Sequence, residues 1–550
     1  MTPQRTPLFV LAILVPIAAA GLGGGCAAIP DERHATFGID FRLPEGAARS
    51  GAIFFMLDGV NPDIFKKLLD EGKLPNFKRY FVDRGLYVER STANLPSVTL
   101  VNEASLVTGD FSGRHGILGN NWFDRTRLLW RNYESYDDKN VIDGDYPQPT
   151  LYERLDDATT FSLFYQVHRG ASQWAENTLS NGPAFFFGFY GLMDRVTLWR
   201  FDIVAAVARE RRAWPALTVV YQTAPDLMAY EFGMSTPEYT WALQHDDAHI
   251  GRILRGLEEA GLLNSLVLAL TADHGMMDIH DRFPVRDYLD KGLDMNVAVQ
   301  WEVELPGFEQ RLAHYAKYSC VTSRGDRYWA VYLRKPRPGW KTSEAPQFED
   351  WLARPSPEDL RRYPSREGRR LDLVEEFLKM AAVDALAYRA GPGVVHVVTK
   401  DGTVEFAQPA GRRDVRAKVI KGENPLGYAG TPAAALLDGA PHDDREWLRL
   451  TAETQYPDLG PQILPYFEGV RAPDIAVFAA PLWNFGFPNR SGHGGLRPAE
   501  MHVPLLMAGP GVPHERRPGP TRSVDLAPTL LHLLGRPVPT DIDGHDLLAK

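Results

Sequence analysis

The residues of this chain that could do chemistry lie just after short apolar runs. Aspartate follows three of these runs, once together with histidine: residues 52–57 precede Asp58, residues 217–221 lead to Asp226, and residues 266–270 lead to Asp273 and His274. A single aspartate after a strand is more often a turn residue or a helix cap. Three together predict a shared site, because open α/β sheets bind ligands beyond the carboxyl ends of their strands.

Metal binding is the chemistry that these residue types favour. Mixed carboxylate and imidazole ligands suit zinc. The net charge of −10 argues against a nucleic-acid scaffold, which needs a basic surface. An acidic protein can still process an anionic substrate when cations lie inside its site, so the charge also points toward metals.

Thr99 is a candidate nucleophile. The segment 95–109 predicts an irregular lead-in to a helix, with Thr99 at or near the helix N-terminus. Backbone N–H groups and the helix dipole favour negative charge there. A hydroxyl so placed can attack phosphorus when a metal lowers its pKa. Taken alone, a threonine at this position is more often an N-cap.

The elements that must position these residues alternate along the chain. The three apolar runs, and a fourth at residues 503–508, are typical of buried parallel strands. Residues 241–261 have apolar side chains at helical spacing. Such alternation predicts an α/β fold with a mostly parallel central sheet and helices on both faces.

The length of 550 residues exceeds what one hydrophobic core usually supports, which predicts a catalytic domain with insertions. We place the catalytic core at residues 50–294 and 474–550, with a first insertion at about 137–214. Residues 295–473, where the alternation weakens, form a predicted cap or accessory region.

Two local patterns stand out inside the predicted cap. Residues 371–388 predict a helix. Residues 394–399 and 403–406 predict a β-hairpin, because Asp401-Gly402 is a turn signal.

The N-terminus, residues 1–26, resembles a secretory signal of the lipoprotein type. Arg5 is the only charge before Asp31, and an apolar stretch at residues 8–20 is followed by glycines and Cys26. The match is imperfect, because Leu22 is displaced by one position. A cleaved soluble form and an uncleaved anchor stay open. We expect export to the bacterial periplasm or cell surface, with attachment through a lipid on Cys26.

Cysteine usage predicts no disulfide framework. Cys320 is the only other cysteine, so it has no intramolecular partner if Cys26 is acylated.

Several short motifs carry a resemblance to a known family. They occur in this order: Met56-Leu57-Asp58-Gly59, the Thr99 segment, His115-Gly116-Ile117-Leu118-Gly119-Asn120, Pro225-Asp226, Ala272-Asp273-His274-Gly275-Met276, Gly492-His493-Gly494, and Ser523 to Leu531 with Asp543-Gly544 beyond. Together they resemble the type I phosphodiesterase/nucleotide pyrophosphatase family of the alkaline phosphatase superfamily, over residues 51–548.

The resemblance implies an alkaline phosphatase-like core that hydrolyses phosphoric esters with two divalent metal ions, zinc in the family. One zinc would be held by Asp58, Asp273 and His274, and would also contact the nucleophile Thr99. A covalent phospho-threonine intermediate would form on Thr99. The expected substrate is a nucleotide or a similar small phosphate ester.

The resemblance also assigns the remaining site residues. Asp226 and His493 match ligands of the second zinc. Asn120 matches an amide that, with the helix N-terminus, hydrogen-bonds a nonbridging phosphate oxygen. The chain departs from the family pattern Pro-Asp-x-x-Gly-His, because Tyr230 replaces the histidine. The second site is therefore expected to be weaker, to use Tyr230 or Glu231, to take another metal, or to be empty.

Alternative functions stay open on the sequence alone. A phosphomonoesterase of the same superfamily is one. Another is a catalytically weakened surface lipoprotein that binds a phosphorylated ligand, and Tyr230 favours this alternative. Thr99 argues against a sulfatase, because sulfatases carry a Cys or Ser at this place that is converted to an aldehyde, and threonine cannot undergo that conversion.

Two further patterns have ordinary explanations. His245 and His249 share a helix face at i,i+4 spacing, which favours a solvated or packed face over a metal site. The aromatic run at residues 185–190 favours packing in the core or cap, with base stacking or lipid contact as the alternative.

Overall fold

The structure, a computed structural model, describes residues 51–134, 139–175, 178–298, 307–323, 325–337, 348–409 and 413–549. The predicted signal at residues 1–26, including Cys26, lies outside the described residues. Within the described ranges, no helix is both long enough and apolar enough to cross a membrane.

Strands occur along the chain from residue 51 to residue 522. In chain order they are β1 (Gly51–Leu57), β2 (Gly85–Thr92), β3 (Asn121–Asp124), β4 (Leu129–Asn132), β5 (Thr160–Leu163), β6 (Gln173–Ala175), β7 (Leu217–Gln222), β8 (Leu266–Ala272), β9 (Met277–Arg282), β10 (Cys320–Thr322), β11 (Tyr328–Leu333), β12 (Tyr363–Pro364), β13 (Arg370–Leu371), β14 (Val383–Gly391), β15 (Val394–Thr399), β16 (Gly402–Ala407), β17 (Val415–Gly422), β18 (Asp438–His442), β19 (Ile475–Ala479), β20 (Leu482–Asn484), β21 (Ser491–Gly492), β22 (His502–Ala508), β23 (Glu515–Arg517) and β24 (Thr521–Arg522).

The α-helices lie mainly between these strands. They are α1 (Pro62–Asp70), α2 (Pro75–Phe77), α3 (Thr99–Thr108), α4 (Ser112–His115), α5 (Thr178–Phe186), α6 (Tyr190–Arg211), α7 (Ala224–Phe232), α8 (Pro237–Glu259), α9 (Val285–Asp287), α10 (Phe308–Tyr315), α11 (Glu349–Leu352), α12 (Pro357–Arg361), α13 (Leu373–Leu378), α14 (Asp444–Thr451), α15 (Leu459–Glu468), α16 (Pro498–Met501) and α17 (Leu526–Leu533).

The central sheet has the strand order β23-β2-β22-β8-β1-β7-β5-β6, with β24 beside β2. Strand β1 pairs in parallel with both β7 and β8, and every residue of the three strands is buried. The three predicted runs are confirmed as parallel strands. Their carboxyl ends lie at one edge of the sheet, which brings the residues that follow them together.

Alternate side chains of β1 enter two separate cores. Phe54 and Met56 pack in the core that contains residues of α3, such as Val101. Phe55 and Leu57 pack in the core that contains residues of α6 and α8. Helices therefore cover both faces of a mostly parallel sheet, and the predicted fold class is confirmed.

Strand β22 corrects the predicted direction of residues 503–508. It pairs antiparallel with both β8 and β2. An apolar run predicts burial but not direction. The chain passes through His493 at the carboxyl edge of the sheet before it enters β22, so it has to run back from that edge.

A second sheet of antiparallel strands has the order β10-β11-β19-β14-β15-β16-β17-β18. The predicted hairpin is confirmed as β15 and β16. The helix predicted for residues 371–388 is wrong beyond Leu378, because β14 follows α13. Strand β14 pairs with β15 and β19 on its two sides, and this pairing overrides local helix propensity.

The predicted domain boundaries remain predictions. Strands β5 and β6, from the predicted first insertion, extend the central sheet beside β7. Strand β19, from the predicted C-terminal part of the core, pairs inside the second sheet with β11 and β14.

Candidate active site

Thr99 is the first residue of helix α3. Val98 before it has extended backbone angles and occupies the N-cap position, so the hydroxyl of Thr99 does not cap the helix. The Oγ1 atom of Thr99 lies 3.2 Å from Nε2 of His274. The hydroxyl therefore faces the carboxyl edge of the central sheet.

Asp58, Asp273 and His274 come together just after the ends of β1 and β8, and His274 is the member that contacts this hydroxyl. Nε2 of His274 lies 3.1 Å from Asp273 Oδ2 and 3.5 Å from Asp58 Oδ1. The other oxygen of Asp273 accepts hydrogen bonds from the backbone N–H groups of Gly59 and His274, at 3.1 and 2.9 Å. The structure thus brings the first predicted ligand set together, with Thr99 beside its histidine.

Asp226 and His493 also lie close to His274. Asp226 is in the first turn of α7, and its Oδ1 lies 4.0 Å from Nε2 of His493. The rings of His493 and His274 stack, with centroids 3.6 Å apart and an angle of 11° between the planes. Two groups with metal-ligand geometry result, and they share His274: Asp58 with Asp273 and His274, and Asp226 with His274 and His493.

Each histidine is oriented by a backbone carbonyl. Nδ1 of His274 lies 3.0 Å from the oxygen of Gly275, and Nδ1 of His493 lies 2.9 Å from the oxygen of Ser97. When each Nδ1 carries the proton and donates it to its carbonyl, Nε2 keeps its lone pair facing the carboxylates. This is the tautomer that a metal ligand needs.

The oxygen atoms that face the site lack hydrogen-bond donors. Asp58 Oδ1, Asp226 Oδ1 and Asp273 Oδ2 are buried without a partner. Burial, with repulsion from neighbouring carboxylates, raises the pKa of Asp58 well above its usual value, and burial also raises the pKa of Asp226. Buried unpaired acceptors are costly, and a bound cation would satisfy all three. The residues present therefore fit a metal centre.

Electrostatics within the first ligand set depend on His274. Burial opposes its charged form, but the carboxylate of Asp273 raises the pKa of His274 above the usual value. Burial favours protonation of Asp273, yet His274 holds the pKa of Asp273 below the usual value. For His493, burial and the neighbouring His274 lower the pKa well below the usual value, so this imidazole is neutral.

Residues 52–358 match the family described as type I phosphodiesterase/nucleotide pyrophosphatase. The chain belongs to this family.

Curated relatives of the chain are named as phosphodiesterases or pyrophosphatases. A pyrophosphatase/phosphodiesterase of Schizosaccharomyces pombe is 23% identical over 322 residues, which are 55% of this chain and 61% of that protein. A venom phosphodiesterase of Macrovipera lebetinus is 29% identical over 46% of this chain and 28% of its own length. The match thus covers less than two thirds of each of these relatives.

Solved structures share the fold over nearly the whole chain. Human ectonucleotide pyrophosphatase/phosphodiesterase 5 has a TM-score of 0.55 and 17% identity, covering 90% of this chain and 98% of that chain. The murine protein, in an inactive variant in complex with AMP, has a TM-score of 0.53 and 16% identity over 91% and 99% of the two chains.

Asn120 lies beside the N-terminus of α3. Its Oδ1 accepts the backbone N–H of Leu100 at 3.0 Å, which fixes the amide plane. Its Nδ2 group donates to Glu134 at 3.0 Å. The amide N–H groups therefore point outward, next to the first turn of the helix that begins with Thr99.

Tyr230 lies where the family pattern has histidine. Its hydroxyl is 2.5 Å from Nε2 of His493, so the phenol reaches the second ligand group. Burial raises the pKa of Tyr230 well above its usual value, and the charges of Asp326 and Asp226 raise it further. Glu231, the other predicted substitute, is exposed and hydrogen-bonds Tyr190 instead. Of the two, Tyr230 is the residue that reaches the site.

Sequence reasoning missed two residues of the site. Tyr221, inside a predicted strand, donates its hydroxyl to Asp58 Oδ2, and its place near the carboxyl end of β7 was the available signal. Asp326 hydrogen-bonds Tyr230 and lies close enough for its charge to raise the pKa of Asp226. No local pattern marks Asp326, because the fold of the predicted cap brings it to the site.

His245 and His249 are absent from both metal-ligand groups of the described residues. Their rings lie 4.3 Å apart, and His245 stacks on Trp241 at 4.7 Å. This packing agrees with the ordinary explanation of a helix face.

Proposed function

We propose that this family member is an exported, metal-dependent phosphodiesterase or nucleotide pyrophosphatase with Thr99 as its nucleophile. The observation that carries the proposal is the 3.2 Å approach of Thr99 Oγ1 to His274, beside buried carboxylate oxygens without hydrogen-bond donors. A hydroxyl in such surroundings is placed for nucleophilic catalysis next to cations.

Two divalent metal ions, zinc in this proposal, fit the carboxylate and imidazole ligands of the two groups. Asp58, Asp273, His274 and Thr99 would hold the first ion. Asp226 and His493, with Tyr230, would hold the second. When bound, such ions lower the pKa of the hydroxyl and stabilise charge on the attacking and leaving oxygens.

The chain's own residues orient the phosphate for attack. The N–H groups at the start of α3 and the amide of Asn120 hydrogen-bond a nonbridging oxygen. Thr99 Oγ1 forms a bond to phosphorus, the bond to the leaving oxygen breaks, and the hydroxyl proton ends on the released alcohol. Water then cleaves the phospho-threonine ester, which frees Thr99.

Nucleotides or similar small phosphate esters are the proposed substrates. The solved murine relative in complex with AMP supports a nucleotide ligand. The names of the relatives, nucleotide pyrophosphatase and phosphodiesterase, agree with diester or pyrophosphate cleavage.

Export is part of the proposal. It rests on the signal pattern of residues 1–26, with Cys26 as the lipidated residue, in a bacterial periplasm or at the cell surface. Relatives named venom phosphodiesterase and ectonucleotide pyrophosphatase/phosphodiesterase agree with a working place outside the cytoplasm.

Tyr230 favours a second candidate function, that of a catalytically weakened surface lipoprotein that binds a phosphorylated ligand. Its hydroxyl is close enough to His493 to compete with a metal for Nε2. A phosphomonoesterase of the same superfamily is the other alternative. Release of p-nitrophenol from bis-p-nitrophenyl phosphate and from p-nitrophenyl phosphate, across a zinc titration, separates the three.

The expected result is metal-stimulated turnover that prefers the diester. Preference for the monoester would replace the diesterase assignment. No turnover with either ester at any zinc concentration, together with measurable AMP binding, would replace the enzyme assignment with the ligand-binding lipoprotein.

A further inference from the structure

A cluster of exposed phenylalanines lies at the junction of α5 and α6. The exposed fractions are 55% for Phe185, 69% for Phe186, 44% for Phe187 and 60% for Phe189. Packing in the core or cap, the favoured explanation of this run, is therefore wrong for these side chains. The rings of neighbouring members contact each other, with centroids 5.3 Å apart for Phe186 and Phe187. Several large apolar side chains exposed together mark an interaction site.

Helix α6 continues the apolar surface along its outer face. Leu192 and Trp199 are exposed at 41% and 47%, and Val196 between them is half-buried. Their spacing of four and three residues places them on one stripe. The opposite stripe, which includes Phe201, is buried in the core below the central sheet. Packing within the chain thus accounts for the inner stripe but not for the outer one.

Basic side chains accompany the outer stripe. Residues 190–212 contain five arginines and three acidic residues, in a chain whose net charge is −10. Two of the acids are neutralised or buried: Asp202 pairs with Arg252 at 2.6 Å, and Asp194 is buried and accepts the N–H of Thr223. Arg195 is exposed on the stripe, and the guanidinium of Arg200 lies 5.1 Å from the ring of Trp199.

This surface adjoins the candidate active site. Tyr190, the first residue of α6, hydrogen-bonds Glu231, which follows Tyr230 on helix α7. The same helix carries Asp226 near its start. A partner on the surface would therefore lie next to the rim of the site.

We propose that this surface, formed by Phe185, Phe186, Phe187, Phe189, Leu192 and Trp199 with the arginines of α6, docks on a lipid bilayer that carries anionic headgroups. Aromatic rings prefer the interface between headgroups and acyl chains, and arginines beside them attract anionic lipids. An apolar stripe without basic residues would fit a protein partner or a second copy as well. The arginines favour the anionic bilayer. This docking is additional to any lipid on Cys26.

The test places an environment-sensitive NBD label on the surface. The full chain carries Cys26→Ser, so that Phe186→Cys provides the accessible thiol while Cys320 stays buried. Val470→Cys is the matched control, because Val470 is 64% exposed and lies in the loop before β19, outside the surface. Each labelled protein is titrated with vesicles of phosphatidylcholine, with and without phosphatidylglycerol.

The expected result is a several-fold rise and blue shift of NBD fluorescence at position 186 with anionic vesicles. The response should shrink with phosphatidylcholine alone or at high salt, and should be absent at position 470. Replacing Arg195 and Arg200 with glutamine should weaken vesicle binding several-fold.

Three results would overturn the proposal. One is no response at position 186, and another is an equal response at position 470, which points to attachment through the N-terminal residues alone. The third is a protein-concentration-dependent shift without vesicles, which points to a second copy of the chain. Hydrolase activity is not the readout, so this outcome is separate from that of the proposed function.

Discussion

Two threonines of helix α3 show what position does to a hydroxyl. Thr108, in the last turn, donates its hydroxyl to the carbonyl of Ala104 at 2.7 Å. Thr99 is at the first helical position, where the helix offers no carbonyl four residues earlier. Its hydroxyl instead faces His274. The same side chain is therefore structural at one end of the helix and available for chemistry at the other.

We predict that Thr99→Ala lowers kcat at least about 10³-fold, because it removes the attacking oxygen. Thr99→Ser should keep much of the activity, since it retains a hydroxyl at the same place. Thr108→Ala is the control, and it should cost about 1 kcal/mol of stability without a comparable loss of kcat. Steady-state kinetics with bis-p-nitrophenyl phosphate measure the three variants. Equal kcat for Thr99→Ala and the parent chain would refute the assignment of the nucleophile.

Tyr230 sets the character of the second ligand group. The hydroxyl of Tyr230 contacts Nε2 of His493 and hydrogen-bonds Asp326. It offers a metal one phenol oxygen where the family pattern offers an imidazole nitrogen. Imidazole suits zinc better than neutral phenol does.

We predict that Tyr230→His raises zinc affinity at the second group about tenfold or more, because it restores a nitrogen ligand. Zinc bound per chain, measured by elemental mass spectrometry after dialysis against a zinc buffer, reports the change. Tyr230→Phe is the control, since it removes the hydroxyl without adding a ligand. If Tyr230→His and Tyr230→Phe bind the same amount of zinc, Tyr230 does not limit the second site.

At the scale of elements, the C-terminal segment is fastened by Arg522. Its Nε and Nη2 atoms lie 2.7 and 2.8 Å from the two oxygens of Asp458, and its Nη1 lies 2.6 Å from Asp444. All three side chains are buried. The segment that begins at Ser523 is thereby tied to helices α14 and α15.

Arg522→Met should destabilise the fold by about 3 to 5 kcal/mol, because it leaves two buried carboxylates without their cation. Arg517→Met is a matched control: Arg517 pairs at 2.9 Å with the exposed Glu515, and its loss should cost less than about 1 kcal/mol. Urea unfolding of both variants measures the difference. Similar midpoints for the two would show that the buried cluster does not hold the C-terminal segment.

Asp110, in the turn between α3 and α4, gives the fold a pH dependence. Burial and the nearby Asp543 raise its pKa to about 7. Because the folded pKa lies above the unfolded one, the folded state holds the proton more tightly. The stability from this group is complete below about pH 4 and falls as the pH rises toward 7.

Asp110→Asn should therefore raise the free energy of unfolding by several kcal/mol at pH 8, at about 1.4 kcal/mol for each unit by which the folded pKa exceeds the unfolded one, and leave it nearly unchanged at pH 4. The backbone N–H of Asp543 donates to Asp110 Oδ1 at 3.3 Å, and the amide oxygen of asparagine can accept the same hydrogen bond. Denaturant unfolding at the two pH values measures this. An equal change in the free energy of unfolding at both pH values would mean that the folded protein does not raise the pKa of Asp110.

For the whole molecule, the site lies where the two sheets meet. The backbone N–H of Arg327, just before β11, donates to the carbonyl of His493 at 3.1 Å. The guanidinium of Arg327 also pairs with Glu500 of α16 at 2.7 Å, and both side chains are buried. The second sheet therefore supports His493 directly, and it brings Asp326 beside Tyr230.

The sequence alone predicted those parts of the fold and the site that depend on local patterns of residues. The ends of β1, β7 and β8 were predictable because apolar runs mark buried strands and ligands gather at their carboxyl ends. Contacts made by distant segments were not. The direction of β22, the strand β14 after α13 and the approach of Asp326 all depend on pairing between residues far apart in the chain.

The phosphoenzyme on Thr99 tests the central claim most directly. The chain is mixed with bis-p-nitrophenyl phosphate in zinc buffer, quenched in acid within its first turnovers, digested and analysed by mass spectrometry. We predict a nitrophenylphosphoryl group on Thr99, absent from Thr99→Ala. Steady release of p-nitrophenol with Thr99 unmodified, at a rate that Thr99→Ala retains, would contradict it.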